Sequence, residues 1–357
     1  MRRLLAGTTI VAVAAVAALA PRTATAQERH TLEGDRVAVY NLAGEMNVEP
    51  GTGRDVTVLV TRGGADAGSL AIRRGESEGG RTLAVVYPGD RVVYPELGRG
   101  TTTDLEVRPD GTFGGGGVGR LLGGGRSRRV RVGGSGSGTR AWADVRVQVP
   151  AGRTVTVHLA AGRVDVANVN GDLRVRSHAA PIRASGTRGS LDLDTGSGGV
   201  EVRDAQGELR VDTGSGGVRV ANVSGGLLHV DTGSGGVAGE GVRVQRLHVD
   251  VGSGGVRLSG VDARDVNIDS GSGAVNLRLA GDAESVRVDT GSGGVVLAVP
   301  SQFGAQAEID TGSGGVHVDV PAEVTRRNRT HFSGRIGDGR GRLMIDTGSG
   351  GVRVIGS

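Results

Sequence analysis

The residues with the most evident chemistry belong to an Asp-Thr-Gly-Ser motif that occurs six times. In aspartic proteases, two such carboxylates converge, share one proton and activate water. The copies begin at Asp194, Asp212, Asp231, Asp289, Asp310 and Asp346. Near-identical copies at intervals of about 19 residues predict a ladder of carboxylates instead of one converging pair. We therefore interpret the motif as turn structure and expect no catalytic aspartate.

The serine of the same motif lacks the surroundings of a catalytic nucleophile. Thr-Gly-Ser-Gly-Gly is similar to the Gly-Asp-Ser-Gly-Gly of serine proteases, but glycine precedes the serine in this chain. A Gly-x-Ser-x-Gly nucleophile elbow is also absent, because threonine occupies the first glycine position. A nucleophilic serine requires a unique histidine and acidic partner, whereas these serines recur from Ser197 to Ser349. We expect no catalytic residue.

Columns of carboxylates and histidines raise the question of a metal site. Glycine-rich calcium rolls repeat every nine residues or so with the aspartate after the glycines, whereas in this chain the aspartate precedes them and the period is about 19. Weak cation binding along the aspartate column stays open. His229 and His248 occupy one column of successive repeats, but a zinc site needs further ligands. The sequence therefore predicts neither a metal site nor a cofactor.

The motif is the most regular part of a repeat. Extended to Asp-Thr-Gly-Ser-Gly-Gly-Val and near copies, it also begins at Asp250 and Asp269. Apolar residues stand one and three positions before each aspartate, as Leu193 and Leu191 do, with a variable residue between them. This period of two is typical of a half-buried strand. A second strand follows each glycine-rich corner, where Val200 and its equivalents alternate with variable residues.

One repeat cannot bury its apolar face alone, whereas parallel stacking buries every apolar column and pairs the backbones. Degenerate repeats at 158–169 and 174–184 precede the regular ones. The interval of 36 residues before Asp346 indicates a copy that has decayed or been replaced by a loop around Asn328. We predict an all-β fold, a parallel, β-helix-like β-solenoid of about eleven rungs of about 19 residues. The glycines two and four positions after each aspartate are expected to supply positive φ.

Composition divides the rest of the chain. Residues 1–26 have the arginines, apolar stretch and Ala-Thr-Ala site of a signal peptide, and no later segment is long and apolar enough to span a membrane. Residues 27–96 are expected to form a β-rich N-terminal segment, 97–140 a Gly/Arg-rich low-complexity loop, and 141–357 the β-solenoid. The sequence therefore predicts an extracytoplasmic protein, whether periplasmic, cell-surface or secreted. It contains no cysteine, so disulfide bonds do not stabilise it.

The charge of the chain does not indicate a nucleic-acid partner. All 42 basic residues are arginine, and removal of the signal peptide leaves 39 of them against 38 acidic residues. Arginines cluster at Arg120, Arg126, Arg128, Arg129 and Arg131, and again at Arg326, Arg327 and Arg329. No aromatic residues are interleaved with them to stack on bases. We expect solvated loops at these clusters, with an anionic surface polymer such as a polysaccharide as the alternative.

The repeat resembles the bacterial putative-adhesin domain of unknown function, whose rungs read Thr-Ser-Ser-Gly-Asp-Ile between alternating strands. Residues 213–218, Thr-Gly-Ser-Gly-Gly-Val, fit that frame. Residues 334–339 with 343–354 resemble the last rungs of the family, and 39–44 resemble its start. Glycine, or Ala274, stands where the family usually has aspartate, and an aspartate precedes the threonine instead. The resemblance implies an envelope-associated, adhesin-like solenoid with no established catalytic residues.

These features predict an exported, non-enzymatic, adhesin-like β-solenoid that presents a binding or structural surface to an unknown envelope or surface ligand. The first alternative is a carbohydrate-active β-helix enzyme acting on acidic polysaccharide. It would require clustered charged side chains on one face and aromatic side chains for sugar stacking, yet only Trp142 and a few Tyr and Phe are present. The second alternative is an envelope-stress-associated protein. The sequence leaves the oligomeric state open.

Overall fold

The computed structural model describes residues 27–77, 80–114 and 127–357. The predicted signal peptide lies outside these residues. The described part consists of strands with two short 3-10 turns, Ala67–Ser69 and Pro95–Leu97. No helix within it is long and apolar enough to cross a membrane.

The described residues form 26 strands, numbered in chain order. The N-terminal strands are β1 (Gln27–Leu32), β2 (Arg36–Pro50), β3 (Val56–Gly63), β4 (Ala71–Ser77), β5 (Gly80–Val86), β6 (Arg91–Val93), β7 (Thr102–Val107), β8 (Arg128–Gly133) and β9 (Trp142–Val149). The middle strands are β10 (Thr154–Ala167), β11 (Asp172–Ser177), β12 (Ile182–Ser185), β13 (Arg188–Thr195), β14 (Val200–Thr213), β15 (Val218–Thr232), β16 (Val237–Val251) and β17 (Val256–Ser270). The C-terminal strands are β18 (Val275–Leu279), β19 (Ser285–Thr290), β20 (Val295–Val299), β21 (Ala305–Thr311), β22 (Val316–Asp319), β23 (Ala322–Arg327), β24 (His331–Ile336), β25 (Gly341–Thr347) and β26 (Val352–Gly356).

Parallel pairing between successive repeats produces a stack of rungs. Equivalent residues pair in register, as Asp194 does with Asp212. We count eleven rungs in the described chain: eight carry the motif, two are the degenerate repeats at 154–167 and 172–185, and one is formed by 36–50. The predicted all-β parallel β-solenoid of about eleven rungs is confirmed.

The apolar columns of the repeats form one continuous core. Leu193, Val211 and Val230, each directly before a motif aspartate, are at most 1% exposed. The motif valines are buried as well, with Val200 and Val218 each 2% exposed. Because each rung covers the apolar residues of the next, the core is long and thin, and it needs few aromatic side chains.

The stack begins earlier in the chain than the repeat pattern indicates. Strand β2 pairs in parallel along β10, and its other edge is covered by β5 and β9. The antiparallel strands β1, β3 and β4 complete this end, which removes an exposed sheet edge. A separate sheet of β6, β8 and β7 has two of its strands within 97–140, the segment expected to be a loop.

At the C-terminal end, the order of the rungs in space differs from their order in the chain. Rung 342–356 lies between rungs 285–299 and 305–319 and pairs in parallel with both. The interval of 36 residues is filled by the antiparallel hairpin β23–β24, with its turn at Asn328, and β24 pairs along β21. The missing copy is therefore replaced rather than decayed, and the hairpin covers the edge of the last rung on that side.

The glycine-rich corners are shaped by the distance between rungs. None of the first or second motif glycines has positive φ, so the expectation of positive φ there is wrong. A Cβ on the second glycine, as in Gly198 or Gly216, would instead lie 1.9–2.2 Å from a backbone oxygen of a neighbouring rung. Left-handed residues occur at the opposite corner, as at Asp204 and Asn222.

In most rungs the hydroxyl of the motif threonine, or of Ser270 in one rung, closes the corner from inside. Thr213 is 1% exposed, and its Oγ1 accepts a hydrogen bond of 2.9 Å from the backbone nitrogen of Gly216. The same contact joins Gly198 to Thr195 at 3.1 Å. A buried hydroxyl without a partner is unfavourable, so this bond explains why threonine or serine is tolerated at most of these buried positions. Val251 stands there in one rung, and the hydroxyl of Thr311 is buried without a partner among the described residues.

Candidate functional site

A continuous groove runs along the second strand of the rungs, and we call it the axial trough. It has a volume of about 1100 Å³ and is lined by three columns: the third motif glycine, the motif valine and the residue after that valine. The third glycines are Gly199, Gly217, Gly236, Gly255, Gly294, Gly351 and Gly315, with Ala274 in one rung. The residues after the valine or its equivalent, in spatial order, are Arg183, Glu201, Arg219, Ala238, Arg257, Asn276, Val296, Arg353 and His317. At about 4.8 Å per rung, these nine rungs make the trough about 38 Å long.

Packing between rungs requires the third glycines much less than the second ones. A Cβ at Gly199, Gly217 or Gly351 would lie 3.5 Å from the nearest atom, which is an ordinary contact. At Gly236, Gly255 and Gly294 the distance would be 3.2–3.3 Å, a close contact that the neighbouring rung would have to relieve, compared with 1.9 Å at the second glycine Gly216. No third glycine has positive φ, and one rung carries Ala274 instead. Glycine also adds backbone entropy to the unfolded chain relative to alanine. At Gly199, Gly217 and Gly351, packing therefore does not explain why the position lacks a side chain.

The side of the trough is basic. Its charged residues after the valine column are Arg183, Arg219, Arg257 and Arg353, with Glu201 as the one carboxylate in the described lining. Arg203 binds Glu201 at 2.7 Å, and Arg183 lies 3.8 Å from it. The hydrogen bond from Arg203, followed by the charges of nearby arginines, lowers the pKa of Glu201. Arg219, Arg257 and Arg353 are exposed and form no ion pair with any described residue.

The motif aspartates lie along the first strand of the rungs, in register from one rung to the next. In spatial order they are Asp194, Asp212, Asp231, Asp250, Asp269, Asp289, Asp346 and Asp310. Arg176 binds Asp194 at 2.8 Å at one end, and His331 lies 2.7 Å from Asp310 at the other. Burial, followed by the charges of Asp250 and Asp289, raises the pKa of Asp269. The aspartates therefore form a ladder of mutually repelling carboxylates, with an arginine at one end and a histidine at the other.

His229 and His248 stack face to face within the same side of the solenoid. Their ring centroids are 4.8 Å apart with an angle of 13° between the planes. Asn267 Nδ2 donates a hydrogen bond of 3.0 Å to His248 Nδ1, and burial, followed by the charge of His248, lowers the pKa of His229. No group of three or more His, Asp or Glu side chains in the described ranges is placed to hold a metal ion.

Several arginines of the two predicted clusters contact the protein itself. Arg131 binds Asp104 at 2.8 Å, and Arg128 donates to the backbone oxygens of Tyr87 and Gly89. Arg329 donates to the backbone oxygen of Ser313 at 3.0 Å, next to the last rung. The cluster residues Arg120 and Arg126 lie outside the described ranges.

The trough arginines were missed by the sequence analysis, which treated the column after the motif valine as merely variable. The sequence does contain a pattern that could have identified most of them: a third glycine stands two positions before Arg219, Arg257 and Arg353. Residues two apart in a strand face the same side, so a glycine next to a long charged side chain on the outer face indicates a groove along the strand. Arg219 and Arg257 show this pattern together with Gly217 and Gly255.

Parallel rungs with an open trough along one strand define the chain as a β-solenoid repeat protein. It belongs to the family described as Toastrack DUF4097, whose model matches residues 145–355, and the resemblance to an adhesin-like domain of unknown function is confirmed. Among solved structures, the chain is similar to a putative cell adhesion protein from Clostridium sporogenes at 10% identity, covering 93% of this chain and 99% of that one. The TM-score is 0.19, which supports no structural argument. No curated protein matches the sequence.

Proposed function

We propose that this chain is an exported, non-enzymatic, adhesin-like protein whose axial trough binds an extended ligand of the cell envelope or surface. The observation that carries the proposal is the third glycine column, since Gly199 and Gly217 keep the trough open where the fold accepts a side chain. A trough about 38 Å long suits a polymer better than a small molecule. Membership of the solenoid family and the predicted signal peptide support a surface role outside the cytoplasm.

The trough supports binding better than polysaccharide cleavage. Glycosidases use two carboxyl groups that flank the scissile bond, separated by about 5 to 9.5 Å. The described lining of the trough contains Glu201 alone, and Arg203 and Arg183 keep this carboxylate paired and ionised. A general acid needs a raised pKa, whereas the pKa of Glu201 is lowered. The carbohydrate-active enzyme therefore remains the less supported alternative.

Filling the trough should abolish ligand binding while leaving the fold intact. In the double variant Gly199→Gln/Gly217→Gln, each new Cβ is expected to fit, since the nearest atom to either position is 3.5 Å away. The longer side chains would then occupy the trough. We expect the purified variant to lose binding to isolated cell envelopes and to an array of surface polysaccharides, measured beside the unmodified chain.

Ser197→Gln/Ser215→Gln provides the matched control, because these exposed serines belong to the same two corners but do not line the trough. This control should bind as the unmodified chain does. Unchanged binding by the glycine variant, with folding verified by circular dichroism, would contradict the trough as the binding site.

Export should depend on residues 1–26. Deleting residues 2–26 removes the basic and apolar parts of the predicted signal peptide, so the protein should remain in the cytoplasm when cells are fractionated. A chain carrying Thr23→Ser keeps the apolar stretch and the Ala-Thr-Ala site and should be exported normally. Recovery of the deleted form outside the cytoplasm would contradict the proposed location.

A further inference from the structure

We propose that the axial trough binds a linear carboxylated polysaccharide, with Arg183, Arg219 and Arg257 contacting successive carboxylates. This inference rests on the proposed function and adds the chemical class of the ligand. The trough carries a local excess of positive charge: four arginines and one glutamate line its described part, although acidic and basic residues nearly balance in the chain without its signal peptide. The trough is therefore complementary to a polyanion.

The arginines occur at a regular spacing. Arg183 is in register with Glu201, and Glu201 with Arg219, so two rungs separate the two arginines. Arg219 and Arg257 are likewise two rungs apart, with Ala238 between them. Two rungs span about 9.6 Å at about 4.8 Å each. A polymer that carries an acid group on every second unit can meet these cations in turn.

Guanidinium groups suit carboxylates in particular. The planar fork of arginine donates two parallel hydrogen bonds to one carboxylate, and its charge persists at every physiological pH. Arg219 and Arg257 are exposed and form no salt bridge with any described residue, although the charge of Arg219 acts on Glu201 in the adjacent rung. Binding would therefore not require breaking an existing ion pair at these two positions.

The backbone of the trough does not offer pairing to a peptide strand. Val200 N donates to Gly217 O, and Val218 N donates to Gly236 O, both at 2.9 Å. These bonds already join the rungs, so an added strand would find this part of the ladder occupied. A polysaccharide needs no such ladder, because a sugar ring can lie on the glycine column while its acid group reaches the arginines.

The lining also disfavours nucleic acid. Single-stranded nucleic acids are held by aromatic side chains on which the bases stack, beside a basic groove for the phosphates. The described lining contains no Phe, Tyr or Trp, and His317 stands at one end of the trough. The cations are present without a stacking platform, which favours a polyanion without bases.

The test measures binding of fluorescently labelled oligosaccharides to the purified exported chain by anisotropy. Hyaluronate carries one carboxylate on every second sugar and should bind, with an affinity that falls as salt is added. Neutral dextran should bind at least about tenfold more weakly, since charge-assisted hydrogen bonds supply much of the affinity. Single-stranded oligo-dT should also bind more weakly than hyaluronate.

The decisive variant is Arg219→Gln/Arg257→Gln, which keeps long polar side chains and removes two charges. It should weaken hyaluronate binding by about tenfold or more and reduce the salt dependence. Arg243→Gln/Arg246→Gln is the matched control, because both residues are exposed, unpaired among described residues and outside the trough. The control should change the affinity by less than about twofold.

The outcomes separate this inference from the proposed function. If Gly199→Gln/Gly217→Gln abolishes binding while the trough arginine variant binds hyaluronate normally, the trough is a binding site and the polyanion inference is wrong. If neither variant changes binding, both proposals fail. Binding of dextran as tight as that of hyaluronate would overturn the inference. Arginine-dependent binding of oligo-dT as tight as that of hyaluronate would overturn it in favour of a nucleic-acid site.

Discussion

Replacing His158 with phenylalanine is expected to make the protein markedly less sensitive to acid. His158 is 6% exposed and stacks on Tyr40, with ring centroids 4.2 Å apart and 10° between the planes. Burial, followed by the charges of Arg176, Arg108 and His178, lowers the pKa of His158 from 6.5 to about 3. Between about pH 6.5 and pH 3 the ring is therefore neutral in the folded protein, whereas in the unfolded chain it takes up a proton.

The direction of the effect follows from proton linkage. Between about pH 6.5 and pH 3 the unfolded chain binds a proton at His158 that the folded protein does not. Stability must therefore fall as the pH is lowered through this window. The loss from this one residue should reach about 3 kcal/mol between pH 7 and pH 4. Phenylalanine keeps the stacking on Tyr40 and cannot be protonated.

Urea unfolding of the two proteins at several pH values between 4 and 8 measures this effect. The carboxylates titrate in both proteins, so the difference between their unfolding free energies isolates His158. The difference should be constant above about pH 7 and should shift in favour of the variant by about 3 kcal/mol at pH 4. A difference that stays constant down to pH 4 would show that protonation of His158 does not oppose folding.

The solenoid could be predicted because the repeat aligns similar side chains in columns. Leu193, Val211 and Val230 follow one another at the same position of successive repeats, and parallel in-register pairing is the arrangement that buries all of them. The aspartate ladder and the shared column of His229 and His248 follow from the same alignment. Each of these predictions needed only the length of the repeat and the position of each residue within it.

The order of the last rungs could not be predicted, because equivalent repeats have equivalent edges. Rungs 285–299, 342–356 and 305–319 present the same apolar columns and the same corner, so pairing preferences do not rank their possible orders. The hairpin β23–β24 covers one edge of β21 and leaves its other edge to pair with β25. This hairpin has no counterpart in the repeat. Connectivity outside the repeat therefore determined the topology at this end.

The trough could not be predicted either, because the sequence does not distinguish two glycines with different roles. The second and third glycines, such as Gly216 and Gly217, are adjacent and recur almost equally, so the sequence pattern does not distinguish their roles in the corner. Only the distance to the neighbouring rung distinguishes a glycine that packing requires from one that it does not. The arginines of the trough are candidate binding residues because they line a groove that the third glycines leave open.

Comparing Gly216→Ala with Gly217→Ala tests this distinction directly. In Gly216→Ala the new Cβ would lie 1.9 Å from Gly198 O and 2.8 Å from Thr213 Oγ1, so the rungs must separate against the hydrogen bonds that hold them. We expect a loss of about 3 kcal/mol or more, at the upper end of overpacking effects. In Gly217→Ala the nearest atom, Gly236 O, is 3.5 Å away, and the restricted unfolded chain should leave stability unchanged or raise it by about 0.4 to 1 kcal/mol.

The melting temperatures and urea midpoints of the two variants measure this contrast, with the unmodified chain as reference. Because a solenoid can lose stability locally, hydrogen exchange of the amides near Gly216 should confirm that the change begins at this corner. Similar destabilisation by both alanines would mean that the third glycine is structural after all. The third glycine column would then no longer indicate a functional site. Destabilisation by Gly216→Ala without destabilisation by Gly217→Ala would instead leave ligand binding as the reason for the third glycine.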